Sequence, residues 1–186
     1  MTAAAPPTPS APSADTPVVP YDPLRLCIFA TVALLAEARA TGMATIETGF
    51  ATHPRAARET VRAIATLTDA IVSTLYHVAT TRLHPQNSVS ETERLAVLAV
   101  GGYGRAEMAP SSDIDLLFLT PWKITPWAES VVESMLYMMW DLNLKIGHSI
   151  RSIDDCLRLG AEDITIRTSL VEHRLGTGHA PLAEEL

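Results

Sequence analysis

Cysteine is scarce: Cys27 and Cys156 are the two in 186 residues, far apart and in no C-x-x-C or Cys/His cluster. No disulfide framework or structural zinc site follows from such spacing, and reduced thiols are expected. Long hydrophobic runs are also missing. The longest, Leu26 to Ala36, has 11 residues, short of the roughly 18 to 20 that cross a bilayer, so no transmembrane helix and no membrane partner are expected. The first 24 positions lack lysine and arginine and are broken by prolines at 6, 7, 9, 12, 17 and 20, which excludes a secretory signal and points to a cytoplasmic location. Positive charge is short throughout: 14 Lys and Arg stand against 21 Asp and Glu, for a net charge of −7. With no basic cluster to lay along phosphates, a dedicated nucleic-acid binder is excluded.

What the chain does have is enough apolar material to bury a core, 47% hydrophobic against 19% charged residues, so it folds. Seven of its 13 prolines fall in the first 23 residues. Residues 1–23, rich in Ala, Pro, Thr and Ser, therefore read as a disordered leader. Residues 24–84 read as a helical region. Leu24 to Thr41 suits a buried helix stopped by Gly42. From Pro54 to Leu83, Val61, Ile64, Leu67, Ile71, Leu75 and Val78 recur at spacings of three and four, forming one apolar stripe.

Residues 85–186 mix both kinds of element. A polar connection, Pro85 to Glu93, leads to a short apolar run from Leu95 to Val100 that reads as a buried strand, halted by Gly101-Gly102. Asp113 to Leu119 reads as a second strand ending at Thr120-Pro121. Thr125-Pro126 opens a helix running to Trp140, with Met135, Met138 and Met139 as core filler. Leu142 to Ile150 reads as a third strand, Ser152 with Asp154 and Asp155 as a helix start, and Asp163 to Leu175 as a last helix ending at Gly176. The fold class is α+β.

The informative segment is Gly101-Gly-Tyr-Gly-Arg-Ala-Glu-Met-Ala-Pro-Ser-Ser-Asp-Ile-Asp115. It is no Walker loop, for G-x-x-x-x-G-K-[ST] does not occur, and no Rossmann fingerprint, whose third glycine would fall on Glu107. What remains is a glycine turn whose amides can approach a phosphate, with Arg105 able to pair with phosphate oxygens. Asp113 and Asp115 lie two apart, so on a strand both carboxylates leave one face while Ile114, Leu116 and Phe118 leave the other. Two carboxylates beside a phosphate loop are what Mg²⁺ needs, since it takes its remaining oxygens from substrate phosphates. The chemistry this implies is metal-assisted nucleotidyl transfer. A nucleotidyltransferase with another acceptor, a D-x-D glycosyltransferase using Mn²⁺, and a truncated, non-catalytic nucleotide-binding module are the alternatives.

The glycine turn followed by Ser112-Asp-Ile-Asp115 resembles the DNA polymerase beta nucleotidyltransferase superfamily. Gly101 to Glu107, Pro110, and Ser112 to Leu117 are most similar to the family of bifunctional PII uridylyltransferases/uridylyl-removing enzymes, as are Trp140-Asp141, Gly147 to Arg151, and Asp163 through Thr168 to Arg174. The resemblance implies a small mixed sheet flanked by helices. It also implies UTP gripped at Gly101, Gly102, Gly104, Arg105 and Ser112, Mg²⁺ (or Mn²⁺) on Asp113 and Asp115, and transfer of UMP to a tyrosine of the PII signalling protein. A third carboxylate commonly completes such sites; Asp141 is the nearest candidate and Asp163 a weaker one. Family members continue into HD and ACT domains, and no His-Asp dipeptide occurs here, so the expectation is the amino-terminal nucleotidyltransferase portion. His148 reads as a hydrogen-bonded structural residue, while His77, His84, His173 and His179 lack metal-ligand spacing.

Overall fold

The computed structural model describes residues 22–86 and 93–186. Most of the expected leader, and most of the expected polar connection before the first strand, lie outside them. The last two leader positions begin a helix: the extended Asp22 is its N-cap, its carboxylate accepting from the Leu24 and Arg25 amides, and Pro23 is its first residue, as a short acid followed by proline allows.

That helix, α1 (Pro23–Thr52), does not stop at Gly42. A Cβ at Gly42 would come within 2.9 Å of Leu67 Cδ2 on the next helix, so the glycine serves close helix packing inside α1. By length and composition α1 is apolar enough to cross a membrane, because small residues link the short apolar runs into one long helix. One side of it, through Ile28, Val32, Leu35, Met43 and Ile46, packs on the protein core. Helix α2 (Ala57–Val78) follows with the expected stripe, burying Ile64, Ala65, Ile71, Val72 and Leu75. It runs on through one π-helical turn, Ala79–Leu83.

The remaining elements are β1 (Ala96–Ala99), the helical turn α3 (Gly101–Gly104), β2 (Ile114–Thr120), α4 (Pro126–Asp141), β3 (Ile146–Ser152), α5 (Ile153–Glu162), α6 (Ile164–Val171), β4 (Arg174–Gly178) and α7 (Ala180–Glu184). They build a mixed sheet of order β3-β2-β1-β4, in which β1 is antiparallel to β2 and β4 while β2 and β3 are parallel. Helix α4 is the crossover between the parallel pair.

Alternation along β2 splits the interior into two layers. Ile114, Leu116 and Phe118 join α2 and α4 in the larger core, whereas Leu117 and Leu119 face a smaller cluster with Cys156, Leu182 and Ala183. The helical region and the sheet thus share one apolar core. Two expectations need correction at the C-terminal side. The expected last helix, Asp163 to Leu175, is only α6, and Arg174 to Gly178 is a strand pairing with β1 across a bulge at Val97/Leu98. Gly176 and Gly178 are there for close approach: a Cβ would sit 3.2 Å from the Val97 carbonyl oxygen at the first, and the second has φ +96° against the Leu95 carbonyl.

Candidate functional site

Strand β1 delivers the chain into α3 through Gly101, whose φ of +58° suits glycine. The Val100 amide donates to the Asp115 carbonyl at 3.1 Å, tying the turn to the start of β2. From the turn the chain reaches Asp113 through a loop with two non-glycine residues at positive φ, Ala106 at 57° and Ser111 at 69°. Such conformations cost energy that the surroundings must supply. The Glu107 amide donates to the Gly102 carbonyl at 3.2 Å and the Met108 amide to Val61 of α2, also at 3.2 Å.

Asp115 stands on the face opposite Ile114 and Leu116, and its register partner on β3 is Gly147. Glycine brackets its carboxylate on both sides: a Cβ at Gly101 would lie 3.6 Å from Oδ2, and one at Gly147 would collide with Oδ1. Among the described residues no donor is hydrogen-bonded to the Asp115 or Asp113 carboxylate. Partial burial, and then repulsion from Asp113, push the Asp115 carboxyl above the usual aspartate range. A cation bound between the two would relieve both effects.

The other expected site residues divide. Gly102 is half-buried but not crowded, a would-be Cβ meeting the Glu107 carbonyl oxygen at 3.5 Å and Arg105 Nη2 at 3.7 Å, both ordinary contacts. Gly104 has a packing role, since a Cβ there would run into the Glu172 carbonyl and come within 3.0 Å of the Ala99 carbonyl oxygen. Arg105 is engaged by the Glu172 carboxylate in an ion pair. Ser112 lines a cleft of about 180 Å³ with an apolar floor of Met43, Ile64, Leu67 and Ile114 and a rim that includes Arg39 and Lys145.

The structure does not bring Asp141 to the acid pair. It is the exposed last residue of α4, a helix packed on the opposite sheet face through Val131, Met135 and Met139. Among the described residues no group of three His, Cys, Asp or Glu side chains gathers to hold a metal ion. The residue of β3 directly beside Asp115 is Gly147, followed on that face by Ser149 and Arg151. Asp163 is an N-cap, accepting from the Thr165 and Ile166 amides at 2.7 and 3.3 Å. Those bonds hold its carboxyl below the usual range. His148 is exposed on an outer strand, its side chain without a hydrogen bond among the described residues, rather than bonded as expected. His84 bonds Ser134 Oγ at 2.8 Å, and His179 caps α7.

Gly147 was not among the expected site residues, although an isolated glycine inside a strand pattern signals close approach. Sequence spacing also gave no hint of a half-buried cluster behind the turn. There the Tyr103 hydroxyl donates to Asp69 Oδ1 at 2.7 Å, and Arg174 donates to both Asp69 oxygens at 3.0 and 2.9 Å.

Residues 32–148 match the family described as GlnE, glutamate-ammonia ligase adenylyltransferase. Curated relatives include three named bifunctional uridylyltransferase/uridylyl-removing enzyme. The protein from Cereibacter sphaeroides is 62% identical over 90% of this chain and 18% of its own length. That from Ruegeria pomeroyi is 59% identical over 84% and 17%, and that from Caulobacter vibrioides is 53% identical over 69% and 14%. The chain spans less than a fifth of each of these relatives. The chain belongs to the GlnE nucleotidyltransferase family.

Proposed function

We propose that the chain carries the uridylyl-transferring centre of such an enzyme, moving UMP from UTP to a tyrosine hydroxyl of the PII signalling protein. The observation that carries this reading is the Asp113/Asp115 pair: two carboxylates without donors, one of them held between Gly101 and Gly147 and raised in pKa by burial and by its neighbour. Both acids are exposed, so a cation in solution can reach them, and two like charges this close favour one.

Those features fit a divalent cation, and Asp113 and Asp115 would hold Mg²⁺, or Mn²⁺ in its place. Bound there, the cation would neutralise charge on the triphosphate. With no side chain at Gly102, a phosphate could approach the backbone, where the first amides of a helical turn have no acceptor within it. Arg105 would add a charged donor on exchanging Glu172 for phosphate. In the transfer, the tyrosine oxygen gives up its proton to solvent and bonds to the α-phosphorus while the bond from that phosphorus to the oxygen bridging the β-phosphate breaks. Pyrophosphate leaves with the electron pair. The acid pair and the turn hold the two reactants in line.

The family description names adenylyl transfer, whereas relatives more than half identical over most of this chain are named for uridylyl transfer; the closer likeness favours UTP. A second reading, a nucleotide-binding module without catalysis, is favoured by the absence of a gathered third carboxylate among the described residues. Incubating the chain with PII and each of the four labelled ribonucleoside triphosphates, with and without Mg²⁺, tests both. Label from UTP alone, only with Mg²⁺, supports the proposal. Label from ATP overturns the choice of base, and Mg²⁺-dependent UTP binding without transfer establishes the binding module.

A further inference from the structure

We infer that Tyr103, Asp69 and Arg174 form a positioning unit that fixes the glycine turn for nucleotide binding, a role resting on the functional reading above. Three of the four residues of α3 are glycine, the residue that loses most conformational freedom on ordering. Such a turn cannot hold its own shape. Tyr103 supplies its one side chain, and that side chain is buried, at 2% exposure.

Both ends of Tyr103 are held. Its hydroxyl donates to Asp69 Oδ1 at 2.7 Å, and its carbonyl accepts from Arg174 Nη2 at 3.3 Å. The same guanidinium donates twice to Asp69 and lies 5.5 Å from the centre of the Tyr103 ring. Asp69 belongs to α2 and Arg174 to β4, so two elements distant in sequence converge on one turn. Burial and the Asp69 carboxylate push the phenol far above its ordinary pKa, so it remains the donor across the working pH range.

The arrangement is costly. Arg174 Nε is buried without a partner, and two charges are partly withdrawn from water. Apolar side chains of similar volume would fill this space with less desolvation. What they would lack is direction, because the hydrogen bonds to the Tyr103 carbonyl and hydroxyl add a directional tie from α2 and β4 to the backbone bonds that already join the turn to its neighbours. These residues touch no reacting atom; they act through the turn.

The test uses the full chain with Tyr103→Phe, which keeps the ring and removes the hydroxyl, and with Asp69→Asn. Hydrogen exchange is followed at the Gly104 and Arg105 amides, which bond the Val100 and Gly101 carbonyls, with β1 and β2 amides as the internal reference. UTP affinity and turnover are measured beside it. The expected result for Tyr103→Phe is exchange about tenfold faster at the turn alone, a KM for UTP raised about five- to tenfold, and kcat within about twofold. Equal acceleration across the sheet would mark a merely structural role and overturn the inference. So would unchanged turn exchange or unchanged KM in a wild type that binds UTP. A wild type that binds no UTP overturns the functional reading and this role with it. Should Asp69→Asn fail to fold, Tyr103→Phe alone decides.

Discussion

Strands β2 and β3 run parallel, and an aspartate stands near each end of the pair, in opposite circumstances. Asp155, in the first turn of α5, accepts from the Ser152 hydroxyl at 2.8 Å and from Arg158 at 3.0 Å, while its amide donates back to Ser152 Oγ at 3.1 Å. This is a capping box, and the bonds hold the carboxyl below its usual range. Asp115, near the start of β2, accepts no hydrogen bond from any described residue and is pushed the other way by burial and Asp113. The surroundings differ accordingly: hydroxyl and guanidinium donors at one end, the bare backbone of Gly101 and Gly147 at the other. A carboxylate that serves the fold has its donors built in. One kept for a ligand is left space instead.

Exchanging charge for amide breaks this comparison most directly. Asp113→Asn and Asp115→Asn each remove a charged ligand and no core volume, so transfer to PII should fall about 100-fold or more, from loss of several kcal/mol of charge stabilisation. The melting temperature should hold or rise, because a repulsion disappears. Asp155→Asn should do the reverse, lowering the melting temperature and leaving turnover per folded molecule unchanged. Full activity in either site variant would remove the acid pair from the mechanism.

The acid pair and the turn were legible because their signal is local: a glycine run and two carboxylates two residues apart lie within 15 positions, directly after an apolar run. Strand β4 was hidden because Arg174-Leu-Gly-Thr-Gly lacks the alternation of a half-buried strand, its glycines being required by the backbones of Val97 and Leu95. Gly42 misled for a related reason. Read locally, a glycine after a helical run is a stop, and only the approach of Leu67 from α2 shows why it lies inside α1. Asp141 drew attention by its nearness to the third strand, but chain proximity does not place a helix end on the acid face. The Tyr103, Asp69 and Arg174 cluster spans 105 residues, beyond any spacing rule.

The glycines sharpen the contrast at smaller energies. Gly104→Ala would press a methyl group against the Glu172 backbone, which cannot swing away as a side chain can. A loss of about 1–3 kcal/mol in urea unfolding is expected. Gly102→Ala meets only ordinary contacts, at 3.5 Å from the Glu107 carbonyl oxygen and 3.7 Å from Arg105 Nη2, and should stay within about 0.5 kcal/mol. Its effect belongs instead to the KM for UTP, where a methyl group stands between phosphate and backbone. Equal destabilisation by both would mean that the whole turn is packing, with no face reserved for a ligand.

The smallest expected effect, and the most direct comparison of the two aspartates, is in the pH dependence of stability. The Asp115 pKa is raised in the folded chain, so folding favours its proton, and its charged form is a burden at neutral pH that lightens as pH falls through the raised value. The Asp155 pKa is lowered, so its stabilising contribution is complete above the ordinary aspartate range and is lost only as pH falls through the lower folded value. Melting temperatures of wild type, Asp115→Asn and Asp155→Asn, followed from pH 7 toward pH 3, separate the two. At pH 7 Asp115→Asn should melt slightly above wild type and Asp155→Asn below it. On acidification the first gap should close early, above the ordinary aspartate value of about 3.9, and the second should persist until below it. Mg²⁺-dependent UTP binding should weaken through the window in which the first gap closes, since the same proton occupies the cation's ligand. Closure in the opposite order would show that Asp115 is held as a partnered structural carboxylate, leaving the two ends of the strand pair chemically alike.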